Sequence, residues 1–165
     1  RPTVDRVKEG MFSALQFLLP GARVLDLFAG SGQLGIEALS RGAAQCVFVD
    51  ENRAAVRVVQ ENLRAAGLLD RAQVVCSTAQ GYLAAAGGPF DILLLDPPYR
   101  HGTIKALLPQ LGPVMAGGGV ALCETEREAQ LPQRAGALVL KKQYRYGTVL
   151  VSRYEKEESE GESER

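Results

Sequence analysis

Apolar residues recur along this chain first at helical spacing and then in short bursts that alternate with amphipathic stretches. Val4, Val7, Met11, Leu15 and Leu18 follow the roughly 3.6-residue period of a helix that Thr3 can cap and that must stop before Pro20-Gly21. Beyond it, strands are predicted over Val24 to Phe28, Cys46 to Val49, Val74 to Cys76, Ile92 to Leu95 and Gly119 to Cys123. Helices are predicted between them, over Gln33 to Arg41 with Gly42 as terminator and over Asn52 to Ala66 with Gly67 in that role. Further helices are expected over Ala79 to Ala86 and Thr103 to Leu111, with a short helical piece from Glu126 to Leu131. Leu138 to Tyr146 and Thr148 to Tyr154, parted only by Gly147, predict an antiparallel hairpin.

Strands alternating with helices, without repeat or internal linker, specify one α/β domain over residues 1–154 with a mostly parallel sheet and helices on both faces. Ligands of such sheets bind at the carboxyl ends of the strands. Asp26 to Gly32, Asp50 and Asp96 to Tyr99 all fall at those ends.

The run Ile92 to Leu95 stops at Asp96-Pro97-Pro98-Tyr99. Pro97 removes a ladder donor and fixes φ, so a stiff turn must follow the strand. Such a turn offers the Asp96 carboxylate and the Pro97 carbonyl as acceptors and the Tyr99 ring as a stacking plate, a receptor for a planar group carrying an NH₂. A proline pair can also simply end a strand, so the rest of the chain has to decide.

After the first strand comes Leu25-Asp26-Leu27-Phe28-Ala29-Gly30-Ser31-Gly32-Gln33-Leu34-Gly35, in which Gly30, Gly32 and Gly35 satisfy G-x-G-x-x-G, with Asp50 at the end of the next strand. By spacing alone this suits NAD or another adenosine cofactor. Asp26 narrows the choice. A carboxylate there sits awkwardly beside a pyrophosphate and comfortably near an ammonium or sulfonium, and S-adenosylmethionine has both cations. An activated methyl at one strand end and a planar amine at another imply methyl transfer to nitrogen. Positioning and electrostatics would drive it, with no metal required.

The 165 residues, 46% hydrophobic and 23% charged, suit a single globular domain. No apolar run approaches the roughly 18 residues of a membrane span and no signal peptide is visible, so a cytoplasmic protein is expected. Cys46, Cys76 and Cys123 are odd in number, widely spaced and set in apolar runs, which predicts buried thiols rather than disulfides or a zinc site.

The formal net charge of zero conceals an uneven distribution. Residues 155–165 carry six Glu against Lys156 and Arg165 and are expected to form a disordered acidic tail, which leaves the preceding residues with a basic excess. Arg1, Thr3, Arg6, Arg100, His101 and Lys105 are the candidate nucleic-acid contacts, and Lys8, Lys141, Lys142 and Arg145 add to the basic surface.

At these residues the chain resembles the class I S-adenosylmethionine-dependent methyltransferases, and within them the bacterial 16S ribosomal RNA guanine-N2 methyltransferase (RsmD-like) family. The resemblance rests on Arg1-Pro2-Thr3-Val4-Asp5-Arg6-Val7-Lys8-Glu9, on Leu25 to Gly35 continuing through Glu37-Ala38-Leu39-Ser40-Arg41-Gly42-Ala43, and on Asp96-Pro97-Pro98-Tyr99. It implies a Rossmann-like, seven-stranded sheet whose last strand is antiparallel. It also implies S-adenosylmethionine as cofactor, with Asp26, Gly30 and Gly32 toward the methionine end and Asp50 toward the ribose, and with Phe28, Ala29, Ser31, Glu51, Thr78, Ala79 and Asp96 as further cofactor contacts. Asp96, Pro97, Pro98 and Tyr99 would receive a guanine amine of 16S ribosomal RNA, the 966-type site, in free RNA or an assembling small subunit. A monomer is expected.

Two departures from the family matter. Many class I enzymes place an acid after the third strand, where this chain has Ser77-Thr78-Ala79, and the family's basic, glycine-rich arm before Arg1-Pro2-Thr3 is lacking. Rival readings are an amino methyltransferase for adenine N6 or a protein glutamine amide, an NAD-dependent oxidoreductase, and a catalytically silent ribosome-assembly module. A DNA enzyme would commonly need a target-recognition domain that this length does not accommodate.

Overall fold

A computed structural model describes residues 2–85, 87–98 and 102–158, with side chains from residue 4 onward. Its elements are α1 (Pro2–Leu15), β1 (Arg23–Asp26), α2 (Gln33–Ser40), β2 (Gln45–Asp50), α3 (Arg53–Ala66), β3 (Ala72–Cys76), α4 (Ala79–Ala84), β4 (Phe90–Leu95), α5 (Thr103–Leu111), β5 (Met115–Glu126), β6 (Arg134–Ala135), β7 (Leu138–Tyr146) and β8 (Val149–Lys156). The strands form one sheet in the order β3-β2-β1-β4-β5-β8-β7-β6. Its first five members are parallel neighbours, and β8 enters antiparallel between β5 and β7. This is the Rossmann-like α/β sheet expected, with the antiparallel last strand in place.

Local sequence accounts for the helix ends that shape the site. Asn52 caps α3, its side-chain oxygen accepting from the backbone N–H groups of Ala54 at 2.8 Å and Ala55 at 3.3 Å. Gly67 closes that helix with φ 72°, a left-handed conformation that suits glycine. Beyond the exposed Asp91, β4 reads as an unbroken apolar run because it lies in the middle of the sheet, between β1 and β5, and both of its faces are covered.

Alternate residues of the central strands feed two separate cores. Val24, Ile92, Leu94 and Leu122 pack with Met11 and Phe12 of α1, Leu39 of α2 and Leu63 of α3. Leu25, Leu93, Leu95 and Cys123 pack on the opposite face with Leu83 of α4 and Leu107 and Leu108 of α5. The period of two has a consequence at the strand ends. Asp26, Asp96 and Glu124 continue the rows of Val24, Leu94 and Leu122, so all three acids belong to the α1 side of the carboxyl edge.

Several expectations are corrected. The sheet has eight strands rather than seven, because the two-residue β6 pairs with β7 through Arg134↔Val139 and Ala135↔Leu138. Glu126 to Leu131 is not a helix. Its backbone is drawn to the hairpin, with the Arg127 N–H donating to the Thr148 carbonyl at 2.9 Å, and Ala129 makes only a turn back to Glu126. β5 begins at Met115, well before Gly119, since the glycines at 117–119 hide the strand from any apolar count while β4 still pairs with it across a register shift. Thr3 lies inside α1 rather than at its cap, and Leu18 lies beyond the helix and is exposed, Leu19 being buried instead. Cys76 is exposed because it ends the edge strand β3, whereas Cys46 and Cys123 are buried. Glu155 and Lys156, expected in the tail, belong to β8, and the Lys156 ammonium donates to the carbonyls of Gly112 at 2.9 Å and Met115 at 2.8 Å. The rest of the expected tail from 159 onward lies outside the described residues.

Candidate cofactor and base sites

Asp26 ends β1 almost wholly buried, at 1% exposure. Its Oδ2 accepts from the Gly35 backbone N–H at 3.1 Å, while its buried Oδ1 has no hydrogen-bond partner. Burial is the main reason its carboxyl is pushed up to about 7; the Gly35 hydrogen bond opposes that rise, and the nearby charges of Asp96 and Asp50 add to it. Three carboxylates crowd one strand edge, and the charged form of the innermost is disfavoured.

The glycine loop between β1 and α2 is held from the next strand. Asp50 at the end of β2 accepts from the Gly30 N–H and, through its other oxygen, from the Asn52 N–H, both at 2.9 Å. Asn62 of α3 donates its side-chain amide to the Ser31 carbonyl at 2.8 Å. Gly32 has φ 87° at the start of α2, and a Cβ there would come within 3.2 Å of a Val59 methyl, so both conformation and space call for glycine. At Gly35 the constraint is approach alone, because a Cβ would enter the Phe48 ring and stand 2.8 Å from the Cys46 sulfur.

Two cavities open along this edge and share a wall. One, of about 530 Å³, lies among Leu27, Phe28, Asp50, Glu51, Thr78 and Leu107. The other, of about 490 Å³, lies among Lys8, Ala29, Gly30, Ser31, Asp96 and Glu124. Phe28, Asp50, Pro97 and Pro98 line both. The turn after β4 therefore stands between a chamber with an apolar wall and one with an acidic wall.

Most residues singled out from the sequence meet here. Ala79 lines the first cavity, and so does Thr78, whose hydroxyl accepts from the Gly81 N–H at 3.0 Å as the α4 cap. Arg6 and Lys105 are exposed on helices that cover opposite faces of the sheet, so one flat basic patch does not join them. Tyr99, Arg100, His101, Arg1 and the Thr3 side chain lie outside the described residues. No group of His, Cys, Asp and Glu suited to a metal ion occurs among the described residues. Sequence reasoning placed Lys8 only on the basic surface, although it lines the second cavity, and missed Glu124 there and Gln80 in the first. For Glu124 a signal existed: Ala121-Leu122-Cys123-Glu124 is an apolar run ending in an acid, the same syntax as Leu94-Leu95-Asp96.

Residues 1–155 match the model of the family described as Conserved hypothetical protein 95. The chain belongs to this family. It is an RsmD-type family of S-adenosylmethionine-dependent methyltransferases, as the motifs implied. Other proteins are similar to this chain along most of their length. "Ribosomal RNA small subunit methyltransferase D" of Escherichia coli (strain K12) is 37% identical over 166 residues, 99% of this chain and 83% of its own. YlbH of Bacillus subtilis (strain 168) is 42% identical over 161 residues, 94% of this chain and 88% of its own. The solved structure of yhhF from Escherichia coli superposes with a TM-score of 0.85 at 34% identity, covering 92% of this chain and 86% of that one.

The residues present fit the family's cofactor. The orphaned Asp26 oxygen buried beneath the glycine loop calls for a donor, and the ammonium of the methionine end would supply one, directly or through water. A cation there would return Asp26 to its ionised form. Asp50 spends one hydrogen bond per oxygen on the loop and keeps lone pairs for ribose hydroxyls.

Proposed function

We propose that this chain transfers a methyl group from S-adenosylmethionine to the exocyclic N2 amine of a guanine in 16S ribosomal RNA, at a 966-type site. The observation that carries the reading is the shared wall: Pro97 and Pro98 line the glycine-loop cavity and the Phe28–Thr78 cavity at once, with Asp96 beside them in the glycine-loop cavity. A donor spanning both cavities and an amine at that turn would meet. The E. coli relative's name supports ribosomal RNA as the substrate class.

When bound, the cofactor supplies an electrophilic methyl on a sulfonium. The chain's own residues do the rest. Asp26 holds the methionine end beneath the glycine loop, and Asp50 holds the ribose. Phe28, Leu27 and Leu107 exclude water from the adenine, and Thr78 and Gln80 border its polar edge. Asp96 and the Pro97 carbonyl accept the two amine N–H bonds, which turns the nitrogen lone pair away from the base ring and toward the donor. Tyr99 is assigned the stacking role by its place in the motif.

The test is to incubate the protein and labelled S-adenosylmethionine with 16S RNA and with small subunits, each from cells lacking the gene, and to map the product nucleoside. N2-methylguanosine at one site in 16S RNA is expected. Methylated adenine, or label confined to protein, would overturn the reading, and the two substrates separate free RNA from ribosomal particles.

A further inference from the structure

Resting on the guanine-N2 reading, we infer that Glu124 is the residue that selects guanine, accepting the base's N1–H beside the amine held by Asp96. Leu95 of β4 pairs with Cys123 of β5 in parallel register and ends its strand, so Asp96 and Glu124 are the residues that directly follow this pair. Both follow residues of the α1-side core by two, Leu94 and Leu122, and both line the same cavity. Glu124 is only 6% exposed, which leaves its carboxylate committed to the protein and to that cavity rather than to bulk water.

The chemistry of the wall says what it takes. Asp50, Asp96 and Glu124 line the cavity, and among the described lining residues Lys8 is the one basic side chain, itself 3.3 Å from Glu37. Such a wall repels a phosphodiester and accepts N–H groups, so what enters beside the methionine end of the donor is a base edge, with the RNA backbone outside. Guanine presents the N1–H donor immediately beside its N2 amine, and two neighbouring carboxylates match two neighbouring donors. Adenine has a lone pair at N1, which a carboxylate opposes. Asp96 therefore serves the reacting nitrogen and Glu124 reads the identity of the base around it. A hydrogen bond to a charged group that is lost, with the carboxylate left facing a lone pair, costs about 10- to 100-fold.

Once the methylated guanine is mapped, RNA carrying either guanine or 2-aminopurine at that position separates the two functions, because 2-aminopurine keeps the amine and lacks the N1–H. The wild-type protein is expected to favour guanine about 10- to 100-fold in kcat/KM. Glu124→Gln, whose amide can donate to the bare N1, is expected to narrow that preference at least about tenfold while its affinity for S-adenosylhomocysteine stays within about twofold of wild type. Wild-type protein that methylates 2-aminopurine as readily as guanine overturns the proposal without any variant. An unchanged preference in Glu124→Gln overturns it as well. Failure of the underlying reading looks different, since no N2-methylguanosine would then form on the natural substrate.

Discussion

The Gly35 backbone N–H donates to Asp26 Oδ2 at 3.1 Å and so ties the end of β1 to the first turn of α2, while Asp26 Oδ1 stays buried with no partner. Burial outweighs that single hydrogen bond and pushes the Asp26 carboxyl from 3.8 up to about 7. Between those two values the folded chain keeps a proton that the unfolded chain has released. Stability contributed by this group therefore falls as pH rises through the window and is fully lost above about 7. Without ligand, the thermal midpoint should drop more from pH 5.5 to 8 in wild type than in Asp26→Asn, which should be the more stable protein at pH 8. Cation binding needs the carboxylate, so S-adenosylhomocysteine, which keeps the ammonium, should bind wild type more tightly as pH rises toward 8. Titration calorimetry at pH 6 and 8 checks this, and a pH-independent affinity would remove Asp26 from the cofactor site.

Gly35→Ala tests the packing beneath the same loop. Alanine is favoured over glycine in a helix by about 1 kcal/mol. Here the added methyl would meet the Phe48 ring and the Cys46 sulfur, both buried to within 1%. Overpacking a site that cannot give costs about 1–3 kcal/mol and should win. The variant is expected to unfold at lower denaturant with an unchanged slope, and to bind cofactor more weakly because α2 and its loop are displaced together. Equal or greater stability would show that Phe48 can move.

Asp50→Ala removes two supports at once, the acceptor for the Gly30 and Asn52 N–H groups and the ribose partner. The group is half-buried, so the loss of stability should be modest, about 1–2 kcal/mol. Cofactor affinity should fall much further, about 100-fold, because the loop loses its preorganisation as well as a contact. Thermal melts with and without S-adenosylhomocysteine separate the two effects. Asp50→Asn, which keeps one acceptor, should fall between.

What the chain reveals before folding is its alternation, and the sheet follows from it: apolar runs bounded by Gly, Pro and Asp place β1, β2 and β4 and, with them, Asp26, Asp50 and Asp96 at one edge. The errors share a cause. The glycines at 117–119 carry no side chain to count, so the first residues of β5 are invisible to periodicity although β4 pairs with them. Glu126 to Leu131 has helical spacing, yet long-range backbone bonds to the hairpin take priority. Glu124 escaped notice for a different reason. Its local pattern, an apolar run ending in an acid, marks a strand end, but the approach of that end to Asp96, nearly thirty positions away, comes from lateral register, which is not written in local sequence.

Asp96→Asn separates binding from chemistry. Asp96 is one of the charges that raise the Asp26 carboxyl, so neutralising it should lower that pKa and leave Asp26 more fully ionised near pH 7. Cofactor affinity at pH 7 should therefore hold or rise slightly, although Asp96 lines the cavity beside the glycine loop. Methyl transfer should behave in the opposite way. An asparagine oxygen can still accept one amine N–H, but the anion that stabilises the positive charge developing on the nitrogen is gone, a loss of about 100- to 1,000-fold in kcat. Single-turnover transfer to 16S RNA and S-adenosylhomocysteine binding, measured on the same preparation across pH 6 to 8, check both halves. A variant that transfers at the wild-type rate would exclude Asp96 from the chemistry. One that loses cofactor binding in step with transfer would show that its carboxylate serves the cofactor instead of the base.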